Sequence, residues 1–351
     1  MTSITKPKVR HPALQTNALG LTRRDYEGSM STLCAGCGHD SVTAAIIQAY
    51  WELDIAPYRV AKLSGIGCSG KTPAYFMSQA HGFNAVHGRM PAIATGANAA
   101  NRELSYIGVS GDGDSLSIGL GQFCHAIRRN VDMLYILDNN GVYGLTKGQF
   151  SASADVGSKS KRGVPNIQRP IDPVLLALSL GASFVARSFS GDKPQLVPIL
   201  KAGIRHRGFA FVDVISPCVT FNDHVGSTKS YLYTREHSLE VAPVDFVALQ
   251  SEITAEYESG TTRDVRMHDG SLVRFRKVAE DYDPTDRDAA YAYVRRLQEQ
   301  GEVGTGLLYL EQGLPDMHET SGTVERPLVE APFEDLCPGA EALDGLMGEY
   351  R

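Results

Sequence analysis

Two short turns constrain this chain more than any other feature: Gly111-Asp112-Gly113-Asp114, and Asp138-Asn139-Asn140-Gly141-Val142-Tyr143-Gly144. Leu104 to Ser110 reads as a buried parallel strand that runs into the first turn, and Val131 to Leu137 as another that runs into the second. Between them Leu116, Leu120, Phe123, Cys124 and Ile127 recur at roughly helical spacing, which places Cys124 on a buried helix face as a small core residue. A strand, a helix and a second strand bring both turns to the carboxyl ends of neighbouring strands, where open α/β sheets bind their ligands.

Magnesium takes near-octahedral oxygen ligands, commonly one or two from protein and the rest from phosphate and water. Asp112 and Asn140, 140 − 112 = 28 positions apart, can supply two. The glycines let phosphates approach the backbone, and a helix N-terminus after Gly113 favours their charge. A bare Gly-Asp-Gly is also an ordinary turn, but the flanking strands and the Asn-Asn end set this one apart. The arrangement resembles the GDG-to-NN motif of thiamine diphosphate enzymes. That resemblance makes Asp112, Asn140 and the backbone carbonyl of Val142 the Mg2+ ligands, with Gly111, Gly113, Asp114 and Gly144 beside the diphosphate.

The six cysteines are Cys34, Cys37, Cys68, Cys124, Cys218 and Cys337. No amino-terminal signal peptide or long apolar span accompanies them, so a disulfide framework is not expected. Cys34-Ala35-Gly36-Cys37 puts two thiolates on one turn, which suits zinc, an iron-sulfur cluster or a redox dithiol equally. Cys68 lies in the glycine-rich Ser64-Gly65-Ile66-Gly67-Cys68-Ser69-Gly70, and Cys218 follows the strand from Phe209 to Ile215. Two thiolates from a turn and two from strand ends make a shell for a 4Fe-4S cluster or for a Cys₄ zinc, and position alone does not separate these. Cys337 sits in an acidic, proline-bounded tail and has no partner in this scheme.

Taken in order, Cys34-Ala35-Gly36-Cys37-Gly38-His39, Ser64-Gly65-Ile66-Gly67-Cys68, His87-Gly88-Arg89, Pro91-Ala92-Ile93-Ala94-Thr95-Gly96, the diphosphate turns, Tyr143-Gly144-Leu145-Thr146-Lys147-Gly148-Gln149, and Cys218 with Phe221-Asn222 resemble the β subunit of 2-oxoacid:ferredoxin oxidoreductases, most closely the 2-oxoglutarate branch. The resemblance covers roughly residues 33–230. It implies that Cys34, Cys37, Cys68 and Cys218 hold one 4Fe-4S cluster. It also implies CoA-dependent oxidative decarboxylation of a 2-oxoacid, 2-oxoglutarate to succinyl-CoA and CO2, with electrons passing through the cluster to ferredoxin. His39-Asp40 departs from the continuation common after the first motif. The glutamate that activates the cofactor belongs on a pyrimidine-binding domain for which this chain has no room. An obligate α subunit, or a fused γα chain, is therefore expected, in an (αβ)2 assembly.

The same resemblance bears on substrate choice. Pyruvate-preferring relatives tend to carry glycine where this chain has Lys147, and a dicarboxylic substrate needs a cation for its distal carboxylate. Lys147 and, after the Cys68 loop, Lys71 are the candidates; the alternatives for Lys147 are a solvated loop lysine or a coenzyme A contact. His87 is expected to position the Arg89 loop, while His224, His237 and His268 are scattered and expected in surface or core roles.

At 351 residues and 42% hydrophobic, the chain can build one large α/β core, and a net charge of −6 argues against a nucleic-acid surface. Lys159, Lys161, Arg162 and Arg169 make a local basic stretch that reads as a solvated loop, with coenzyme A phosphates or an acidic carrier as the other possibility. The expected architecture is a doubly wound, mostly parallel sheet of the thiamine diphosphate-binding fold. Residues 1–30 form an irregular arm, 31–230 the cofactor and cluster domain, and 231–351 a C-terminal extension. Helices are expected after a cap at Asp40 or Ser41, over residues 91–102 with Gly96 serving close packing, over 172–180 and 194–206, and over 286–300 after a cap at Asp283 or Thr285. Asp269-Gly270 marks a hairpin within residues 266–275, and residues 311–351 an acidic tail. The chain is expected to be cytoplasmic, with no membrane segment. Two rival functions fit parts of the pattern: a non-redox thiamine diphosphate-dependent decarboxylase or synthase subunit with a structural CxxC, and a zinc-stabilised scaffold without activity.

Overall fold

The structure, a computed structural model, describes residues 13–158, 164–219, 252–266 and 272–350. In chain order, α1 (Gly38–Glu52) leads to β1 (Val60–Ser64) and β2 (His81–Asn84), α2 (Met90–Ala100) to β3 (Ser105–Gly111), and α3 (Leu120–Arg128) to β4 (Met133–Asn139). A two-stranded ribbon, β5 (Val142–Tyr143) and β6 (Gln149–Phe150), precedes α4 (Pro173–Ser179), β7 (Phe184–Phe189), α5 (Lys193–Arg205) and β8 (Phe209–Ile215). Then come β9 (Thr262–Arg266), β10 (Leu272–Lys277), α6 (Arg287–Glu299), β11 (Glu302–Leu310) and three short helices, α7 (Met317–Ser321), α8 (Phe333–Leu336) and α9 (Ala340–Gly348).

Among the described residues nine strands form one sheet in the order β2-β1-β3-β4-β8-β7-β11-β10-β9. The first six are mutually parallel. β11 then joins β7 antiparallel, and β10 and β9 extend the edge. Every residue of β4, β7 and β8 is buried, as expected for parallel strands covered on both faces. The period of two divides them: Met133, Tyr135 and Leu137 join a core with α2, α3, α4 and α6, whereas Leu134 and Ile136 join a second core with α1 and α5. The sheet is doubly wound. From β1 the chain passes to β2 on one side and then to β3 on the other, so the direction of winding reverses at the carboxyl ends of β1 and β3.

Several local expectations are corrected. Helix α1 starts with Cys37 at its cap position and no side-chain cap, rather than at Asp40 or Ser41, because Gly38 N–H is already bonded to the Pro217 carbonyl at 3.3 Å. Asp286 caps α6 by accepting from Ala289 N–H; Asp283 instead accepts from Thr285. A side chain on Gly96 would meet open space, not a close neighbour. Cys124 is half-buried rather than in the core. The helix expected directly after Gly113 is split: residues Gly113–Ile118 make one π-helical turn, closed by Gly119 N–H to the Asp114 carbonyl at 2.8 Å, before α3 begins. Strand β11 has no counterpart in the sequence analysis. Gly304 and Gly306 interrupt its alternation, Gly304 because a Cβ there would lie 2.7 Å from Leu297. Strands β9 and β10 pair antiparallel as the arms of the expected hairpin, while its Asp269-Gly270 turn lies outside the described residues. So do Lys159, Lys161, Arg162, Phe221, Asn222, His224, His237 and His268.

Candidate active site

Strands β1, β3, β4 and β8 all deliver their carboxyl ends to one rim of the sheet, and the sequence motifs lie there. Gly111, Asp112, Gly113, Asp114, Asn140, Val142 and Gly144 line one cleft, together with His39, Cys68, Ser69, His87 and Tyr143. Asp112 is 2% exposed. Its Oδ2 accepts three hydrogen bonds of 2.6 Å, from Gly141 N–H and from the hydroxyls of Ser151 and Ser153. The ribbon of β5 and β6 brings these serines back over the site. Three donors saturate Oδ2 and fix the carboxylate plane, while Oδ1 carries none of these bonds. Asn140 Oδ1 accepts from Val142 N–H at 3.1 Å, and a carbonyl oxygen has two lone pairs. Gly113 has no room for a side chain, since a Cβ would lie 2.6 Å from the Tyr143 ring, whose hydroxyl donates to the Gly113 carbonyl at 2.6 Å. One oriented anionic oxygen, a neutral amide oxygen and a glycine-lined floor fit magnesium with a diphosphate.

Asp114 has a different task. It bonds His87 Nδ1, accepts from Gly88 N–H at 2.9 Å, and accepts at its other oxygen from Ser110 at 2.7 Å. The second acid of the motif therefore ties the His87-Gly88-Arg89 loop to the end of β3. His87 turns its ring toward Tyr143 at 6.2 Å and lines the cleft.

The four cysteines named by the resemblance share a neighbourhood beside this cleft. Cys37 N–H closes the first turn on the Cys34 carbonyl at 3.1 Å. A Cβ on Gly144 would stand 3.3 Å from Cys68 Sγ and 3.7 Å from Cys218 Sγ. Burial pushes the Cys37 thiol well up, and Cys218 and Cys68 add to the rise. Burial likewise raises Cys68; Lys71 opposes the rise and Cys34 adds to it. Thiols that raise one another's pKa need a cationic centre to ionise together. Cys124 is raised by its own burial with no other cysteine contributing, and Cys337 is exposed in the tail. Among the described residues no three His, Cys, Asp or Glu side chains stand together as a group for one metal ion.

His39 is the residue that sequence reasoning passed over. It lies on the first turn of α1, buried, with Nδ1 2.6 Å from the Ser216 hydroxyl and 3.6 Å from Asp138 Oδ2, and Nε2 3.4 Å from Asn140 Nδ2. Burial lowers its pKa to about 4, so the ring is neutral. Asp138 has no hydrogen bond to either oxygen, and burial first, then Asp112, hold its carboxyl well above the ordinary range. The available signal was position: His39 follows the second cysteine by two residues, so it could only enter the same rim.

The two lysines are separated. Lys147 is exposed on the lip, in a turn closed by its N–H to the Gly144 carbonyl at 3.1 Å, and has φ +78°. Lys71 lines a second cavity of about 440 Å³ with Met30, Phe83 and Leu145. Leu145 and the Ile66-Gly67 loop border both spaces.

This geometry defines a thiamine diphosphate-type α/β domain, and residues 65–214 match the family model for the thiamine pyrophosphate enzyme C-terminal, TPP-binding domain. The chain is 46% identical over 211 residues to the 2-oxoacid:ferredoxin oxidoreductase subunit beta of Saccharolobus solfataricus, covering 60% of this chain and 68% of that one. It is 42% identical over 191 residues to the 2-oxoglutarate oxidoreductase subunit KorB of Mycobacterium tuberculosis, covering 54% and 51%. Among solved structures, a 2-oxoglutarate:ferredoxin oxidoreductase from Magnetococcus marinus, with 2-oxoglutarate, coenzyme A and succinyl-CoA bound, superposes with a TM-score of 0.71 at 28% identity, over 92% of this chain and 98% of that one. The chain belongs to the β subunits of the 2-oxoacid:ferredoxin oxidoreductases. Among its described residues no helix is long and apolar enough to cross a membrane.

Proposed function

We propose that this β subunit binds thiamine diphosphate through Mg2+ on Asp112, Asn140 and the Val142 carbonyl, and holds one 4Fe-4S cluster on Cys34, Cys37, Cys68 and Cys218. The reaction is oxidative decarboxylation of a 2-oxoacid, 2-oxoglutarate being the preferred substrate, with CoA accepting the acyl group and ferredoxin the electrons. The observation that carries this reading is the meeting of both residue sets at Gly144, which lines the diphosphate cleft while Cys68 and Cys218 flank it. When bound, thiamine diphosphate supplies the carbon nucleophile and electron sink for decarboxylation, and an adjacent cluster supplies the route by which the electrons leave.

The chain's own residues then have separable tasks. Asp112 presents Oδ1 to the metal because Oδ2 is fully bonded. Gly111 and Gly113 keep the floor open, and Asp114 holds His87 at the cleft wall. Neutral His39 separates Asn140 from the cluster turn without adding charge. Lys71 and Lys147 offer ammonium groups to a distal carboxylate.

Apolar side chains stand exposed around the rim: Met30, Phe83, Val86, Ile118 and Leu145. Together with the β-subunit names of the relatives, this supports an α subunit, or a fused γα chain, that covers the cleft, brings the activating glutamate and pairs in an (αβ)2 assembly. The test is anaerobic copurification with that partner. Four irons and four acid-labile sulfides per β subunit, and viologen reduction that requires 2-oxoglutarate, CoA and thiamine diphosphate, are expected. Decarboxylation without viologen reduction, in a complex that carries zinc or no metal on the cysteines, would overturn the redox assignment.

A further inference from the structure

We propose that Arg187, Asp213 and Asn139 form a buried positioning chain that acts through Ser153 to fix the metal-binding carboxylate of Asp112. This rests on the assignment of the metal to Asp112. Arg187 lies in β7, 5% exposed, and its Nε donates to Asp213 Oδ2 in β8 at 2.6 Å. A second guanidinium nitrogen spans both oxygens of Asp172, the cap of α4, at 3.0 Å. From α6, Gln298 Nε2 donates to the same Asp172 at 2.6 Å. Inward, Asp213 Oδ1 accepts from Asn139 Nδ2 at 3.0 Å, and Asn139 Oδ1 faces the Ser153 hydroxyl at 2.9 Å. That hydroxyl lies 2.6 Å from Asp112 Oδ2. A continuous line of polar contacts thus crosses three adjacent strands, β7, β8 and β4, and ends on the carboxylate.

Ala186 before Arg187, and Val212 and Val214 on either side of Asp213, are apolar and buried, and replacing a buried ion pair by well-packed apolar groups is commonly neutral or stabilising. What the line does accomplish is orientation. Asp213, paired to Arg187, is an acceptor only, so Asn139 must turn its amide nitrogen to Asp213 and its oxygen to Ser153. Ser153 has one hydroxyl proton and three acceptors within reach, Asp112 Oδ2 at 2.6 Å, Asn139 Oδ1 at 2.9 Å and the Ser151 hydroxyl oxygen at 3.1 Å. The proton serves Asp112 while the carboxylate charge is unshared, and turns to Asn139 when a dication on Oδ1 takes up that charge. In both states the serine oxygen stays where it limits rotation of Asp112. Without the amide oxygen fixed by Asp213, the hydroxyl loses its 2.9 Å acceptor on the β4 side and the serine oxygen is held less firmly against Asp112.

Groups of this kind, one contact removed from a metal ligand, typically contribute 10- to 100-fold to metal affinity. The experiment is a titration of the complete complex with Mn2+ at saturating thiamine diphosphate, free Mn2+ being read by EPR, with thermal melting measured alongside. Ser153→Ala is expected to weaken Mn2+ binding about tenfold with the melting temperature unchanged, and Ser153→Thr to restore it to within about threefold. Asp213→Asn is expected to weaken it similarly; should that variant fail to fold, the serine pair decides alone. Unchanged Mn2+ affinity in Ser153→Ala overturns the proposal, as does a loss that Ser153→Thr does not rescue. Asp112→Ala serves as the reference: if it abolishes binding while Ser153→Ala does not weaken it, the positioning chain fails and the metal assignment stands. If Asp112→Ala binds Mn2+ like wild type, the metal assignment fails and the chain with it.

Discussion

The sulfur of Cys68 lies 3.3 Å from the point where a Cβ on Gly144 would sit, and Gly144 is two residues past the Val142 carbonyl assigned to the metal. One stretch of backbone therefore separates the cysteine group from the diphosphate cleft. At 3.3 Å from Cys68 Sγ and 3.7 Å from Cys218 Sγ, a methyl group is admitted only if Cys68 gives way slightly, and a larger side chain displaces the two sulfurs further. Gly144→Ala is expected to lower the iron and acid-labile sulfide retained through anaerobic purification, and Gly144→Leu to abolish them. Mn2+ binding at saturating thiamine diphosphate should stay close to wild type in Gly144→Ala. Full iron in Gly144→Leu would show that the cluster lies elsewhere.

Cys218 follows β8 and approaches the group from far along the chain, so it closes the set that Cys34, Cys37 and Cys68 begin. Cys218→Ser should lose iron, whereas Cys124→Ser and Cys337→Ser should keep the full complement. Iron analysis of the three variants decides this. Retention of the cluster in Cys218→Ser together with its loss in Cys337→Ser would reverse the ligand assignment.

Lys147 adopts φ +78°, a left-handed conformation that costs a side-chain-bearing residue roughly 1–2 kcal/mol and a glycine little. Lys147→Gly therefore relieves the backbone while removing the ammonium, and any loss of activity cannot be assigned to a damaged fold. A charge-assisted hydrogen bond contributes about 1.5–3 kcal/mol, so kcat/KM for 2-oxoglutarate should fall about 10- to 150-fold. Pyruvate, lacking a distal carboxylate, should be affected much less. Equal losses for the two substrates would assign Lys147 to the common chemistry.

Lys62 in β1 is buried, with Nζ donating to the carbonyls of Phe76 and Met77 at 2.6 and 2.9 Å. Burial lowers its pKa from 10.5 to about 8. The folded chain gives up this proton at lower pH than the unfolded chain does, so between about pH 8 and 10.5 the unfolded chain holds more protons and stability rises with pH. The rise integrates to at most about 3 kcal/mol, since the two carbonyls favour the charged form and reduce it. In Lys62→Met this contribution disappears. Melting temperatures of the complex from pH 7.5 to 10.5 should rise less, or fall more, in the variant than in wild type; parallel curves would remove Lys62 as the titrating group.

Within the candidate site, legibility tracked how local each requirement is. The placement of Asp112 and Asn140 in one cleft could be read because strand, turn and helix fix it by chain direction alone. Asp114 and His87 illustrate the opposite case. Each was visible, yet their bond to one another joins segments 27 residues apart and depends on Gly88 and Gly119 approaching backbone to backbone, with a Cβ on Gly88 only 2.7 Å from Gly119. His39 was quoted within a motif but given no task, because its surroundings, Ser216, Asp138 and Asn140, come from two other strand ends.

By itself the sequence determined the parallel strands, the two turns at their carboxyl ends and the chemical character of the groups there, because each follows from short-range periodicity and residue type. Tertiary structure decided the rest. It selected which oxygen of Asp112 is free, gathered four cysteines from three separate segments, ran the C-terminal strand β11 antiparallel onto β7, and threaded Arg187, Asp213, Asn139 and Ser153 into one line. These relations depend on strand register across a nine-stranded sheet and on side-chain direction within a buried, close-packed interior. Neither has a local energetic signature in the chain, since each arises only when strands distant in sequence are fixed side by side.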